Sequence, residues 1–95
     1  MTDNLNTIKK AAEIDMVATS VGEVPSGYFV ATTKVLGIVT TYMLSGELDD
    51  ENATIVGRVE INKNRSGINC YRGDRIKGGE LFRADSYSQA WAKML

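Results

Sequence analysis

The chain has 95 residues, of which 43% are hydrophobic and 24% are charged, and its formal net charge is −1. This size and composition are typical of one globular domain, so we expect a single domain over residues 1–95 and exclude a second one. No apolar run approaches the roughly 18 residues of a membrane span, and the N-terminal residues lack the pattern of a secretory signal, so the sequence predicts a cytoplasmic protein without a membrane segment.

The first predicted element is a helix from about Asn4 to Ser20. Asn4 or Asp3 is suited to cap it, apolar residues follow at helical spacing, and Gly22 is placed to end it. The residues after Asp15 are rich in β-branched types, which leaves an extended conformation open for the last turns.

The segment from Tyr28 to Leu44 is predicted to be strand, because valine, threonine, isoleucine and aromatic residues dominate it. It is far longer than the usual strand of about 5 to 6 residues. Either Gly37 marks a bulge in one bent strand, or a tight turn near Lys34 to Gly37 divides the segment in two. Apolar residues occupy alternate and intervening positions alike, which indicates burial on both faces or a central position in the sheet.

Three further strands are predicted toward the C-terminus. Ala53 to Asn62 alternates apolar and polar residues, which directs Arg58 and Glu60 toward water. After a turn from Lys63 to Gly67, short strands are expected at Ile68 to Arg72 and at Glu80 to Arg83. Successive strands without intervening helices are typical of an antiparallel meander.

The last predicted element is a short helix after Ser86. Ser86 and Gln89 have the spacing of a capping box. The apolar residues that follow lie on one helical stripe: Tyr87, Ala90, Trp91, Met94 and Leu95. Such a short helix needs to dock on the sheet to be stable. The sequence therefore predicts an α+β fold with an N-terminal helix, an antiparallel sheet of four or five strands and a short C-terminal helix packed on the sheet. If the packing is two-layered, both helices are expected on one face.

Catalytic and metal-binding patterns are missing from the sequence. The chain contains no histidine, which is the commonest acid–base catalyst and metal ligand. Cys70 is the only cysteine, so it has no partner for an internal disulfide, and it is predicted to be a buried strand residue. We therefore expect a protein that is not an enzyme and that uses neither a metal nor a cofactor.

Two charged segments are candidate binding sites. The turn from Ser45 to Asn52 clusters four acids, Glu47, Asp49, Asp50 and Glu51, which lack the spacing of a calcium loop and are expected to present negative charge to a protein partner. The segment KNRSGINCYRGDRIKGG combines one aromatic residue with five cations, Tyr71 with Lys63, Arg65, Arg72, Arg75 and Lys77. Arginines that pair with phosphate and a tyrosine that stacks on a base are typical of nucleic-acid binding.

Charge is unevenly distributed along the chain. Residues 1–55 contain three cations and eight acids, whereas residues 56–95 contain eight cations and four acids. The sequence pI of about 5.3 is nevertheless far below the value above 9 of many nucleic-acid-binding domains. An alternative interpretation of the basic segment is therefore that its cations are solvated in turns and pair with nearby acids.

The sequence favours a small non-enzymatic interaction protein that binds or inhibits a protein partner by covering its surface. In length and composition it is similar to small accessory and inhibitor proteins of phages and mobile elements, although no motif identifies a family. A phosphate-binding or nucleic-acid-binding module that uses Lys63 to Lys77 is the alternative. Under either interpretation a homodimer is expected to be accessible, because a small open sheet has an edge strand that a second copy can cover.

Overall fold

The computed structural model describes residues 3–11, 14–18, 24–36, 38–48, 50–62 and 68–95. Within these residues the chain forms two helices and six strands. The elements in chain order are α1 (Leu5–Ala11), β1 (Ile14–Ala18), β2 (Tyr28–Val35), β3 (Ile38–Ser45), β4 (Thr54–Asn62), β5 (Ile68–Arg72), β6 (Glu80–Ala84) and α2 (Tyr87–Met94).

The strands form one sheet in which each strand pairs antiparallel with its neighbour in sequence, from β1 to β6. The predicted antiparallel meander is confirmed by β2 to β6, and the α+β composition follows from the two short helices that flank the sheet. β1 extends the meander at the edge of β2, where the sequence predicted the last turns of a helix and left an extended conformation open.

The N-terminal helix is much shorter than predicted. It begins as expected, because the Asn4 side-chain oxygen accepts a hydrogen bond from the Thr7 amide at 3.0 Å. It ends at Ala11, and the chain from Ile14 onward is extended as β1. Helix propensity is a weak preference, and pairing with β2 satisfies backbone groups that an open strand edge would leave to water. The predicted stop, Gly22, lies outside the described residues.

The long apolar segment forms two strands, which is the second of the two predicted alternatives. β2 and β3 pair along their whole length, from Tyr28 opposite Ser45 to Val35 opposite Ile38. Only two residues therefore connect the strands, and Leu36 is the one of them that the structure describes. A tight hairpin with a short turn is the geometry that such a connection requires.

The two helices cover opposite faces of the sheet, so the packing is not the two-layered arrangement in which they would share one face. On the α1 face, α1 packs on alternate residues of β2 and β3; the buried residues of this cluster are Leu5, Ile8, Phe29, Ala31, Tyr42, Leu44, Ala53 and Ile55. On the α2 face the buried residues are Val30, Met43, Val59, Cys70, Ala90, Trp91 and Met94. Because successive strand residues point to opposite faces, strands that are apolar at every position need a cover on both.

The C-terminal helix agrees with its sequence signals. The Ser86 hydroxyl accepts a hydrogen bond from the Gln89 amide at 3.2 Å, while the Gln89 side chain accepts one from the Asp85 amide, one residue earlier than a standard capping box. The predicted stripe is buried at Ala90, Trp91 and Met94, which face the sheet, whereas Leu95 at the end of that stripe is 58% exposed. Cys70 is buried beneath this helix and is not part of a disulfide, as predicted.

Candidate functional site

The basic segment is divided between the two faces of the sheet. Lys63 and Arg65 lie outside the described residues. Tyr71 lies under the Arg58 guanidinium, whose central carbon is 4.1 Å from the ring centroid. Arg72 points to the other face, where it donates a hydrogen bond to the Lys93 carbonyl oxygen. Adjacent strand residues alternate in direction, so Tyr71 and Arg72 do not line one surface.

Arg75 and Lys77 lie in the loop between β5 and β6, where both are exposed. This loop folds back onto the α1 face, because Ile76 packs against the core on that face and its amide donates to an Asp3 carboxylate oxygen at 2.7 Å. The two cations are therefore fixed on a loop beside the N-terminal segment. Arg72, across the sheet, lies 3.9 Å from a Glu80 carboxylate oxygen. The described part of the segment does not form one cationic face.

Arg58 is buried, contrary to the prediction that it faces water. Strand register places it between Tyr42 on β3 and Tyr71 on β5, and all three residues lie on the α1 face. Its Nε donates to a Glu60 carboxylate oxygen at 3.0 Å, and its Nη1 donates to the Gly78 carbonyl oxygen at 2.7 Å. The loop between β5 and β6 lies over this face of β4 and shields Arg58 from water. Arg58 thus holds the loop on the sheet.

Burial raises the pKa of Tyr42 above its ordinary value of 10.0, and the neighbouring Arg58 charge opposes part of that effect. Glu60 and Asp3 raise it further, because each is an acid near the phenol. Burial is also the main reason why the pKa of Cys70 lies above its ordinary value of 9.0, with Lys93 and Arg83 opposing it. Neither group is activated toward deprotonation, so the shifts argue for structural roles at both positions.

Alkaline pH is expected to destabilise the fold through these two groups. As pH rises past about 9 to 10, the unfolded chain loses protons from Cys70 and Tyr42 before the folded chain does, so the free energy of unfolding falls. Below that range neither group contributes a pH dependence. Urea midpoints measured from pH 8 to 11 should decline in the wild type and decline less in Tyr42→Phe. An unchanged decline in that variant would show that the Tyr42 phenol titrates alike in both states.

Two acids of the turn, Asp50 and Glu51, make contacts within the protein. Glu47, Asp50 and Glu51 are exposed, whereas Asp49 lies outside the described residues. An Asp50 carboxylate oxygen accepts a hydrogen bond from the Asn52 amide at 2.9 Å, which shapes the turn. The Glu51 carbonyl oxygen accepts one from the Asn6 amide, and its carboxylate lies 3.9 Å from the Lys9 ammonium. Part of this acidity therefore anchors α1.

Acidic and basic loops meet at one end of the sheet. The N-terminal residues join them: the Asp3 amide donates to the Asp74 carbonyl oxygen, and the Leu5 amide donates to the Ala53 carbonyl oxygen. The loop that carries Arg75 and Lys77 is thus close to the turn that carries the acids. Exposed acids of the first half of the chain and exposed cations of the second half therefore lie at the same end of the sheet.

The opposite end carries a feature that the sequence interpretation did not single out. We define the hairpin tip as Lys34, Leu36 and Ile38, around the turn between β2 and β3. Leu36 is 97% exposed and has a φ of 51°, and Ile38 is 37% exposed. A φ in this region is an outlier for a bulky residue and is normally taken by glycine, asparagine or aspartate. The signal in the sequence was a leucine before a glycine at a predicted tight turn.

Comparison with protein-family models, with curated proteins and with solved structures finds no match for this chain. Among the described residues, no three histidine, cysteine, aspartate or glutamate side chains come together in an arrangement suited to a metal ion. Neither α1 nor α2 has the length and apolar character that a bilayer crossing requires. The functional interpretation therefore depends on the geometry of the described surfaces.

Proposed function

We propose that the protein is a non-enzymatic binding protein that acts by covering part of a protein partner, and that the hairpin tip makes the central contact. The observation that supports this proposal is Leu36, an apolar side chain that is almost fully exposed on a backbone with positive φ. Inhibition of the partner, in the manner of small phage or mobile-element proteins, is the biological role that we propose on the basis of size and composition.

Leu36 is unfavourable in the isolated protein for two reasons. The left-handed backbone conformation costs an L-residue about 1 to 2 kcal/mol. The side chain also gains nothing from burial, although fully burying a leucine contributes about 1.5 to 3 kcal/mol. Both costs are offset if a partner buries the side chain, and strained residues of this kind cluster at functional sites. A binding role explains why position 36 is leucine and not asparagine or glycine, which suit the turn.

Leu36→Asn is expected to stabilise the free protein and to abolish partner binding. Asparagine tolerates positive φ, so the free energy of unfolding should rise by about 1 kcal/mol. Denaturant titration measures the first effect. Affinity capture from the native host with quantitative mass spectrometry measures partner binding. The variant should lose the proteins that the wild type retains.

Leu48→Asn and Leu95→Asn are the matched controls, because these leucines are 51% and 58% exposed at positions without positive φ. Both variants should retain the captured proteins and show no comparable gain in stability. Capture by Leu36→Asn at the wild-type level would contradict the proposal.

Nucleic-acid binding through Lys63 to Lys77 stays a prediction. The described residues of that segment do not favour it, since Tyr71 stacks under Arg58 and Arg72 lies on the other face. Binding of a labelled oligonucleotide at low salt, with a steep loss as salt increases, would favour it over the protein-binding proposal.

A further inference from the structure

We infer that the outer edge of β6 is a latent pairing surface for a second copy of this chain, and that Lys93 of α2 keeps this edge closed. The inference is independent of the hairpin tip. It concerns the last strand of the sheet, which pairs with β5 on one side and with no other strand of the described residues on the other. An edge of this kind is the surface through which the sequence predicted a homodimer.

Hydrogen bonds between β4 and β5 fix the direction of the backbone groups. The Gly73 amide donates to the Val56 carbonyl oxygen at 2.9 Å, and these two residues continue the register of the two strands. They form a hydrogen-bonded pair, and in antiparallel strands such pairs alternate with pairs that are not hydrogen-bonded. Tyr71 accordingly directs its amide and carbonyl groups toward β4, whereas Cys70 directs its own toward β6.

The same alternation determines which groups of β6 are directed outward. Cys70 is opposite Phe82, so these two residues bond to each other across β5 and β6. Leu81 and Arg83, on either side of Phe82, therefore direct their amide and carbonyl groups away from β5. Both residues are exposed. The outer edge of β6 thus presents backbone donors and acceptors that an added strand could pair with.

One of these acceptors is occupied by α2. Lys93, in the last turn of α2, donates from its ammonium group to the Arg83 carbonyl oxygen at 3.3 Å. The Lys93 carbonyl oxygen accepts a hydrogen bond from Arg72 of β5, which fixes the helix end from which the side chain reaches β6. Beyond the end of β6, the Asp85 amide donates to the Gln89 side chain. Side chains of α2 therefore cap the edge of β6 as well as covering one face of the sheet.

A second copy of the chain has a strand that fits this edge. A two-fold axis beside Phe82 and perpendicular to the sheet would place Leu81 of each copy opposite Arg83 of the other, as two hydrogen-bonded pairs. Phe82 would face its counterpart, and Glu80 would face Ala84. No like charges are opposed in this register, which is the requirement for a self-complementary contact.

Lys93 opposes this pairing at a single atom. The Arg83 carbonyl oxygen is the acceptor that the Leu81 amide of the second copy would need, and the Lys93 ammonium group stands in the place of that amide. Lysines at strand edges are a common means of preventing edge-to-edge association. Pairing along one short strand forms few hydrogen bonds, and each contributes little net free energy against the entropy cost of association. The loss of one acceptor is therefore enough to keep the edge closed.

Light scattering coupled to gel filtration tests the inference on the full chain at high micromolar concentration. Lys93→Ala removes the ammonium group and should double the mass that the wild type shows. Adding Leu81→Pro should restore the wild-type mass, because proline lacks the outward amide and that amide makes no bond to β5. Lys93→Arg retains a donor and should keep the wild-type mass.

Lys77→Ala is the matched control, because it removes one exposed lysine from the loop between β5 and β6, and it should leave the mass unchanged. Lys93→Met keeps the aliphatic part of the side chain and replaces Lys93→Ala if circular dichroism shows that the alanine variant is unfolded. An unchanged mass in the folded Lys93 variant would overturn the inference. A doubled mass that Leu81→Pro does not reverse, or that Lys77→Ala shares, would overturn the assignment to the β6 edge.

Discussion

Trp91→Ala is expected to lower the free energy of unfolding by about 3 to 5 kcal/mol, which is the usual cost of removing a large aromatic side chain from a core. Trp91 is 0% exposed and lies among Val30, Met43 and Val59 of the sheet. A domain of this size has only about 5 to 14 kcal/mol of stability in total. Urea denaturation at 25 °C should therefore show a midpoint far below that of the wild type, and near the lower end of this range the variant would be partly unfolded without denaturant.

Ala92→Ser is the control for Trp91→Ala, because Ala92 is the next residue of α2 and is exposed. It should change the free energy of unfolding by less than about 0.5 kcal/mol, as exposed substitutions usually do. A loss below about 1 kcal/mol in Trp91→Ala would mean that α2 does not pack on the sheet as described.

Gly57→Ala is expected to cost about 3 kcal/mol, at the upper end of what overpacking a core costs. A Cβ at this position would lie 2.7 Å from the Tyr71 carbonyl oxygen and 2.7 Å from the Met94 sulfur. The methionine can rotate away, but the carbonyl belongs to the neighbouring strand β5 and moves only with it. The urea midpoint, measured alongside Trp91→Ala, gives the loss.

The double variant Gly57→Ala/Met94→Ala separates the two obstacles. Removing the Met94 side chain leaves only the contact with the carbonyl oxygen, so the two losses should sum to more than the loss of the double variant. Strict additivity would show that Met94 yields without cost. A neutral Gly57→Ala would contradict the close approach of α2 to β4.

The elements predicted correctly are those in which the local sequence pattern and the packing in the folded protein favour the same conformation. Ser86 and the apolar stripe after it specify both the start of α2 and its buried side, and the alternation in β4 matches a strand that is paired on both edges. The N-terminal segment differs, because its local pattern fits a helix from Asn4 onward. Pairing with β2 selects the extended conformation, which the β-branched residues after Asp15 had left open.

The arrangement of the helices illustrates the same difference. Apolar residues on both sides of β2 and β3 indicated two buried faces, yet a sheet with two short helices also fits a two-layer fold. Leu5 of α1 and Trp91 of α2 pack on opposite faces of the sheet. The face that each helix covers follows from strand register. Pattern alone does not contain that information.

The candidate site was less predictable than the fold. The sequence drew attention to charge, and the structure uses several of those charges internally, as Arg58 holds the loop at Gly78 and Asp50 shapes its own turn. The exposed tip is defined instead by the backbone angle and solvent exposure of Leu36. Neither quantity can be read from composition, although a leucine in a two-residue turn is an unusual choice.

The opposite placement of the helices has a consequence for biosynthesis. Each strand pairs with its neighbour in sequence, so the sheet can assemble hairpin by hairpin as the chain is made. The α1 face gains its helix from residues that precede the sheet, but the α2 face waits for α2, which follows all six described strands. Until Trp91 has been synthesised, Val30, Met43 and Val59 form an apolar surface open to other nascent chains, and the aggregation hazard of this protein is concentrated on that face.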